Sequence, residues 1–169
     1  MPTALLLLRH CLLAFTVALL PFAVHAAPPR YIDLAEWVGP DDTPGDRRFH
    51  ALNDWIVYEF NDLCPDFFCA DGYGNYRLLG LSCVVDTRTD GVRACRLPVA
   101  ASRDQVHPGT GALQTDVRHW LCPVPLPPGL LVATFLAALD WQPDSSGHLF
   151  NALPGSGRSL FDALQDCLP

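Results

Sequence analysis

Lysine is missing from this 169-residue chain, methionine occurs once, and glutamate occurs only as Glu36 and Glu59. The missing lysine makes every basic side chain an arginine, a compositional bias that carries no chemistry of its own. Two glutamates leave a carboxylate pair for sugar hydrolysis to be drawn almost wholly from aspartates. No Gly-x-Ser-x-Gly elbow is present, which removes the nucleophile turn of the α/β-hydrolases. The glycine-rich stretch 154–159 reads instead as a turn and a helix cap. Ser156 or Ser159 with His148 and Asp162 is the loose serine, histidine and acid that any chain of this length supplies. Cys64 and Cys69 have no second close pair and no interleaved histidines, so zinc spacing is absent. Asp66 and Asp71 stand too far apart for a calcium loop, and His50 with Asp54, one helical turn apart, belongs to a solvated face. There is no nucleotide motif, internal repeat or low-complexity segment. No metal and no cofactor are expected.

The N-terminus supplies an address. Arg9 and His10 precede an apolar stretch over 11–24, and Val24 and Ala26 place small residues where a signal peptidase reads. Pro21 and His25 interrupt the far end, whereas a spanning helix needs about 20 apolar residues in a row. Residues 1–26 are expected to be a cleaved signal peptide and residues 27–169 a single domain; the alternative is a retained anchor. Ten arginines against 18 acidic residues then leave a formal charge of −8. Such a surface repels phosphate backbones and anionic lipid, which excludes nucleic-acid and membrane-surface roles after cleavage, and it attracts a basic partner.

Cys11 leaves with the leader. The remaining six, Cys64, Cys69, Cys83, Cys95, Cys122 and Cys167, form an even set in an exported chain and predict disulfides in a periplasmic or secreted protein. An even count leaves no spare thiol for a nucleophile.

Three stretches, 76–87, 92–101 and 113–124, alternate or run apolar and predict an antiparallel meander. Asp90 and Gly91 mark the hairpin between the first two. A five-residue loop over 87–91 places Asp86 opposite Val92 and Cys83 opposite Cys95, and a one-residue slip would remove that bridge. In the third stretch Leu113, Val117 and Leu121 share one face, and Trp120, Cys122 and Val124 the other; one set needs a cover.

Before the meander, Tyr31, Leu34, Trp37 and Val38 lie at the spacing of a short helix. Thr43, Pro44 and Asp46 then cap an amphipathic helix whose stripe is Phe49, Leu52, Ile56, Phe60 and Leu63, with Trp55 on its edge. Cys64 and Pro65 are expected to end it, and Cys64 to Cys69 is short enough to close a small disulfide loop. After the meander, residues 128–139 predict a helix buried on all sides, and 159–167 a short one capped by Ser159 and pinned by Cys167. The fold class is α+β: a three-stranded meander, an N-terminal amphipathic helix and two C-terminal helices, braced by disulfides.

One constellation suits recognition. Asp62, Asp66, Phe67, Phe68, Asp71, Tyr73, Asn75 and Tyr76 surround the Cys64–Cys69 loop and would display aromatic anchors among carboxylates. The bland alternative turns Phe67 and Phe68 into the core. By architecture alone the layout resembles, as a class, small periplasmic lysozyme inhibitors and effector immunity proteins. It implies a non-enzymatic binding protein that engages a basic cell-wall-active hydrolase or toxin. The rival is a small secreted hydrolase, which would bring Glu59, His119 or His148 together with an Asp and a Ser. A third option, a ligand-binding module, asks for a groove among Trp37, Trp55, Trp120 and Trp141.

Overall fold

The computed structural model describes residues 29–67, 72–140 and 147–169, with only the backbone given for 64–67. The leader 1–26, Cys69 with any Cys64–Cys69 bridge, Phe68, Asp71 and Trp141 lie outside the described residues, as do the side chains of Cys64, Asp66 and Phe67.

The first described elements are β1 (Tyr31–Asp33) and the single turn α1 (Leu34–Trp37), followed by the long helix α2 (Pro44–Phe67). The sheet strands β2 (Gly74–Leu78), β3 (Ser82–Asp86), β4 (Gly91–Val106) and β5 (Leu113–Val124) come next, then α3 (Val132–Leu139) and α4 (Leu160–Gln165). The class is mixed α+β around an antiparallel sheet, with five strands rather than three and four α-helices rather than three among the described residues.

β4 is the axis of the sheet. Along one edge it pairs with β3 and then β2, along the other with β5 in unbroken register from Cys95↔Val124 to Val106↔Leu113. The single strand expected over 76–87 is thus two strands on one line. The interruption has a local cause: Gly80 takes a φ of +135°, and Asn53 on α2 accepts a hydrogen bond from the Leu81 N–H at 2.7 Å. A helix side chain replaces the missing ladder partner there. Leu79 still donates its N–H to the Pro98 carbonyl at 2.8 Å, so the line continues through the break.

The hairpin turn is one residue tighter than expected, with Asp86 opposite Gly91 and Val85 opposite Val92. A bulge between Val84 and Val85 absorbs the difference, and Cys83 does fall opposite Cys95, where the two form a disulfide. Both sulfurs are buried on the inner face. The second bond seen joins Cys122 of β5 to Cys167 just after α4, pinning the last helix as its sequence implied.

Three other expectations change. Residues 31–33 pair with β3 as an edge strand instead of starting a helix, and Tyr31 is left exposed while Leu34 is fully buried. Helix α2 runs past Pro65 to Phe67; a proline in the final turn deletes one backbone bond and has little helix after it to disrupt. Helix α3 begins at Val132, because Leu130 and Leu131 stay extended against the hairpin: the Val92 N–H donates to the Leu130 carbonyl (2.8 Å) and the Val132 N–H to the Asp90 carbonyl (2.9 Å). It also buries one face, Val132, Phe135 and Leu139, and leaves Ala133 and Thr134 outside.

The core lies between the sheet's inner face and the helices. Cys83, Val85, Cys95, Leu97, Val99 and Cys122 meet the stripe of α2, of which Phe49, Leu52, Ile56 and Phe60 are buried, and Phe135, Leu139, Leu160 and Leu164 of the later helices. Full burial of a leucine such as Leu97 is worth about 1.5–3 kcal/mol. The caps behave as read: Thr43 Oγ1 accepts from the Asp46 N–H, and Ser159 with Asp162 forms a reciprocal capping box.

Candidate functional site

Strand alternation sends half of the sheet's side chains away from the helices, and among the described residues nothing covers them. Of the two faces of β5, the set Trp120, Cys122 and Val124 turns inward, and Leu113, Val117 and Leu121 turn out, 76%, 64% and 52% exposed. Their neighbours across the sheet follow from the register. Leu121 stands beside Pro98, which stands beside Leu79, itself 64% exposed; Leu113 stands beside exposed Val106. Val84 adds a further exposed group on β3. The row Leu79, Pro98, Leu121 is flanked by Arg96 on one side and by Arg77 and His119 on the other. An uncovered apolar row flanked by arginines on a small domain is the surface feature that most asks for a partner.

The far half of the β4–β5 hairpin stands clear of the body, with residues 113–118 exposed on both faces. Its inner side is organised by Tyr73. The Tyr73 hydroxyl donates to Asp116 Oδ2, Arg103 Nη2 donates to the same oxygen at 3.2 Å, and the guanidinium groups of Arg103 and Arg118 lie 4.9 and 5.0 Å from the Tyr73 ring centre. Trp120 stacks on Tyr76 and meets Tyr73 edge-on. The hydrogen bond to Asp116, then burial, raises the Tyr73 pKa; the same bond, then Arg103, lowers that of Asp116.

These contacts redraw the recognition constellation. Tyr73 and Tyr76 are buried and support the hairpin from below, so neither is available as a displayed anchor. Asp62 and Asn75 are exposed, Asn75 in a left-handed conformation, and Asn75 Nδ2 reaches Ser102 Oγ only at 3.5 Å. The described members of the set are therefore split between core and surface. The glycines and asparagine around Tyr73 and Tyr76 suggested a turn, and aromatics in turns look like display. Tyr76 alternates with Arg77 along β2, which signals its inward direction; Tyr73 reaches the same side only through the irregularity between Gly74 and Arg77, where Asn75 takes a positive φ, and nothing local signals that.

One chemically equipped pair does assemble. Glu59, on α2, accepts at Oε1 from the His148 N–H (2.9 Å) and from its ring Nδ1 (2.6 Å), and at Oε2 from the Leu149 N–H (2.8 Å). Both side chains are mostly buried, and the exposed Trp55 stacks over the imidazole at 6.2 Å, 10° from parallel. Gly147 makes the approach feasible: its φ is +141°, and a Cβ there would come within 2.9 Å of the Glu59 carboxylate. Both carboxylate oxygens are occupied in fastening the 147–149 turn to α2. The serines weighed beside His148 are spoken for as well: Ser159 and Asp162 cap α4, and Ser156 Oγ donates to Leu153 and accepts from the Arg158 N–H.

His50 pairs with Asp46 instead of Asp54, and His119 lies on the outer face of the sheet. Trp37 and Trp120 fill the edge of the core. Among the described residues no cluster of His, Cys, Asp and Glu could hold a metal ion, and no helix is long and apolar enough to cross a membrane. No known protein family, curated protein or solved structure matches this chain.

Proposed function

We propose that the protein is an exported, non-enzymatic binding protein whose contact surface is the outer face of its sheet. The observation that carries this reading is the row of exposed Leu79, half-buried Pro98 and exposed Leu121, continued by Val117 and Leu113 on the hairpin. An inhibitor or immunity role toward a basic cell-wall hydrolase or toxin fits the net charge, which steers a basic partner from a distance. At close range Arg77 and Arg96 favour carboxylates in the partner's contact patch. A stoichiometric complex with a basic cell-wall hydrolase, weakening as salt rises, is the expected outcome of titrating the two by calorimetry. The double substitution Leu79→Asp with Leu121→Asp should abolish it, since it breaks the apolar row and forces a partner's apolar groups to close over carboxylates. Binding unchanged in that variant, with circular dichroism showing the same fold, would remove the outer face from the reading.

A second reading, a small secreted hydrolase, has one observation in its favour, the contact of Glu59 with His148. It requires turnover of an ester, peptide or glycan substrate that vanishes in His148→Ala, and a silent substrate panel sinks it.

A further inference from the structure

We propose that the free edge of β5 pairs with the same edge of a second copy of this chain, antiparallel and centred on Val117, so that two sheets become one. This goes beyond the partner-binding reading and does not depend on it.

The hydrogen bonding of β4 fixes which main-chain groups of β5 face outward. Among the described residues β5 pairs with β4 alone, so its other edge carries an unpaired ladder. The Pro98 carbonyl accepts from Leu79, which directs the main-chain groups of Pro98 toward β2 and β3 and away from β5. Since direction alternates along a strand, the β5 residues opposite Pro98, Ala100, Ser102, Asp104 and Val106 turn their own N–H and C=O groups outward. Those residues are Leu121, His119, Val117, Thr115 and Leu113. Pro123 falls in the same outward set, where a proline's missing N–H costs the sheet nothing.

The edge lacks the usual guards against such pairing. The strand runs over 12 residues, its register with β4 has no bulge, and residues 113–118 are exposed on both faces, leaving room for a neighbour. Its two charges, Asp116 and Arg118, are of opposite sign.

Register then selects itself. With Val117 opposite its own copy, Thr115 meets His119 and Leu113 meets Leu121 in bonded pairs. On the other face Asp116 of each chain meets Arg118 of the other, twice over by symmetry. Centring on His119 instead sets Thr115 against Pro123, which has no N–H to give, and leaves Asp116 opposite Cys122. Centring on Thr115 shortens the ladder and sets Asp116 against Gln114. The Val117 register alone matches charge with charge and leucine with leucine, and it joins the apolar rows of two outer faces.

The test uses the full chain, expressed for export and purified as the host processes it, in sedimentation velocity across a concentration series. The wild type should sediment as a dimer that dissociates on dilution. Val117→Pro removes an outward N–H without touching the β4 ladder, and Arg118→Asp sets carboxylate against carboxylate. Each should sediment as a monomer with an unchanged circular dichroism spectrum. A wild type that stays monomeric to about 1 mM, the weak end of specific association, overturns the proposal, and so does a dimer that both variants leave intact.

Discussion

At the residue scale Glu59, which the sequence offers as a candidate of the rival hydrolase, serves as a clamp. Glu59 accepts three hydrogen bonds from a turn about ninety positions away, and nothing local signals it. A carboxylate is required there because it is the side chain that offers acceptors alone at both oxygens. Glu59→Gln turns one of those oxygens into a donor facing an N–H. It should cost about 1–3 kcal/mol in urea unfolding. Gly147→Ala attacks the same contact from the other side, through both the left-handed φ and the 2.9 Å approach, and should cost about as much. If both variants unfold at the wild-type midpoint, the clamp contributes nothing. The aromatic constellation teaches the converse lesson: the sequence marks Tyr73 and Tyr76 as important and gives them the wrong side, because their environment is made by Trp120 from a strand more than forty residues later.

At the element scale, what the sequence made plain is what repeats: the three- and four-residue stripe of α2, the alternation of β4, the cap of α4. What it concealed depends on a partner from elsewhere in the chain. β1 is three residues long and is a strand only because β3 offers an edge. The break at Gly80 exists because Asn53 arrives from α2, and the late start of α3 follows from Leu130 lying against the hairpin. The two disulfides separate these cases. Cys83 and Cys95 span a separation of 12 residues across a hairpin already held by its turn; Cys122 and Cys167 close one of 45 and are the covalent hold on α4. Loop-closure entropy gives about 3 kcal/mol for the first and about 4 kcal/mol for the second. Replacing both cysteines of each bond by alanine in turn should reproduce that order in denaturant midpoints, with Cys122 and Cys167 the costlier pair. The reverse order would mean that the Cys83–Cys95 bond, rather than the turn, holds the bulged register.

At the scale of the whole molecule, acidity leaves a mark on stability. Asp86 is lowered by its hydrogen bonds from Arg30 and the Arg88 N–H, Asp116 by Tyr73 and Arg103, and Asp162 by the Ser159 N–H and hydroxyl. They tie β1 to the hairpin, the projecting arm to the segment before β2, and α4 to its cap. A carboxylate whose folded pKa lies below its unfolded value contributes stability that is complete above the unfolded value, near 3.9, and is lost as pH falls through the folded one. Thermal midpoints should therefore hold level from neutral pH down to about pH 5 and fall below about pH 4. Tyr73 carries the opposite sign: its raised pKa gives stability that is whole below about pH 10 and is lost as pH rises through the folded value. Tyr73→Phe removes both dependences at one place, since it deletes the phenol and the bond that lowers Asp116. The variant should show a shallower acid decline and a flatter alkaline limb than the wild type in the same buffers. Parallel curves at both ends would show that the arm is held by the stack of Trp120 on Tyr76 and by the Arg103 pair, with the tyrosine hydroxyl a bystander.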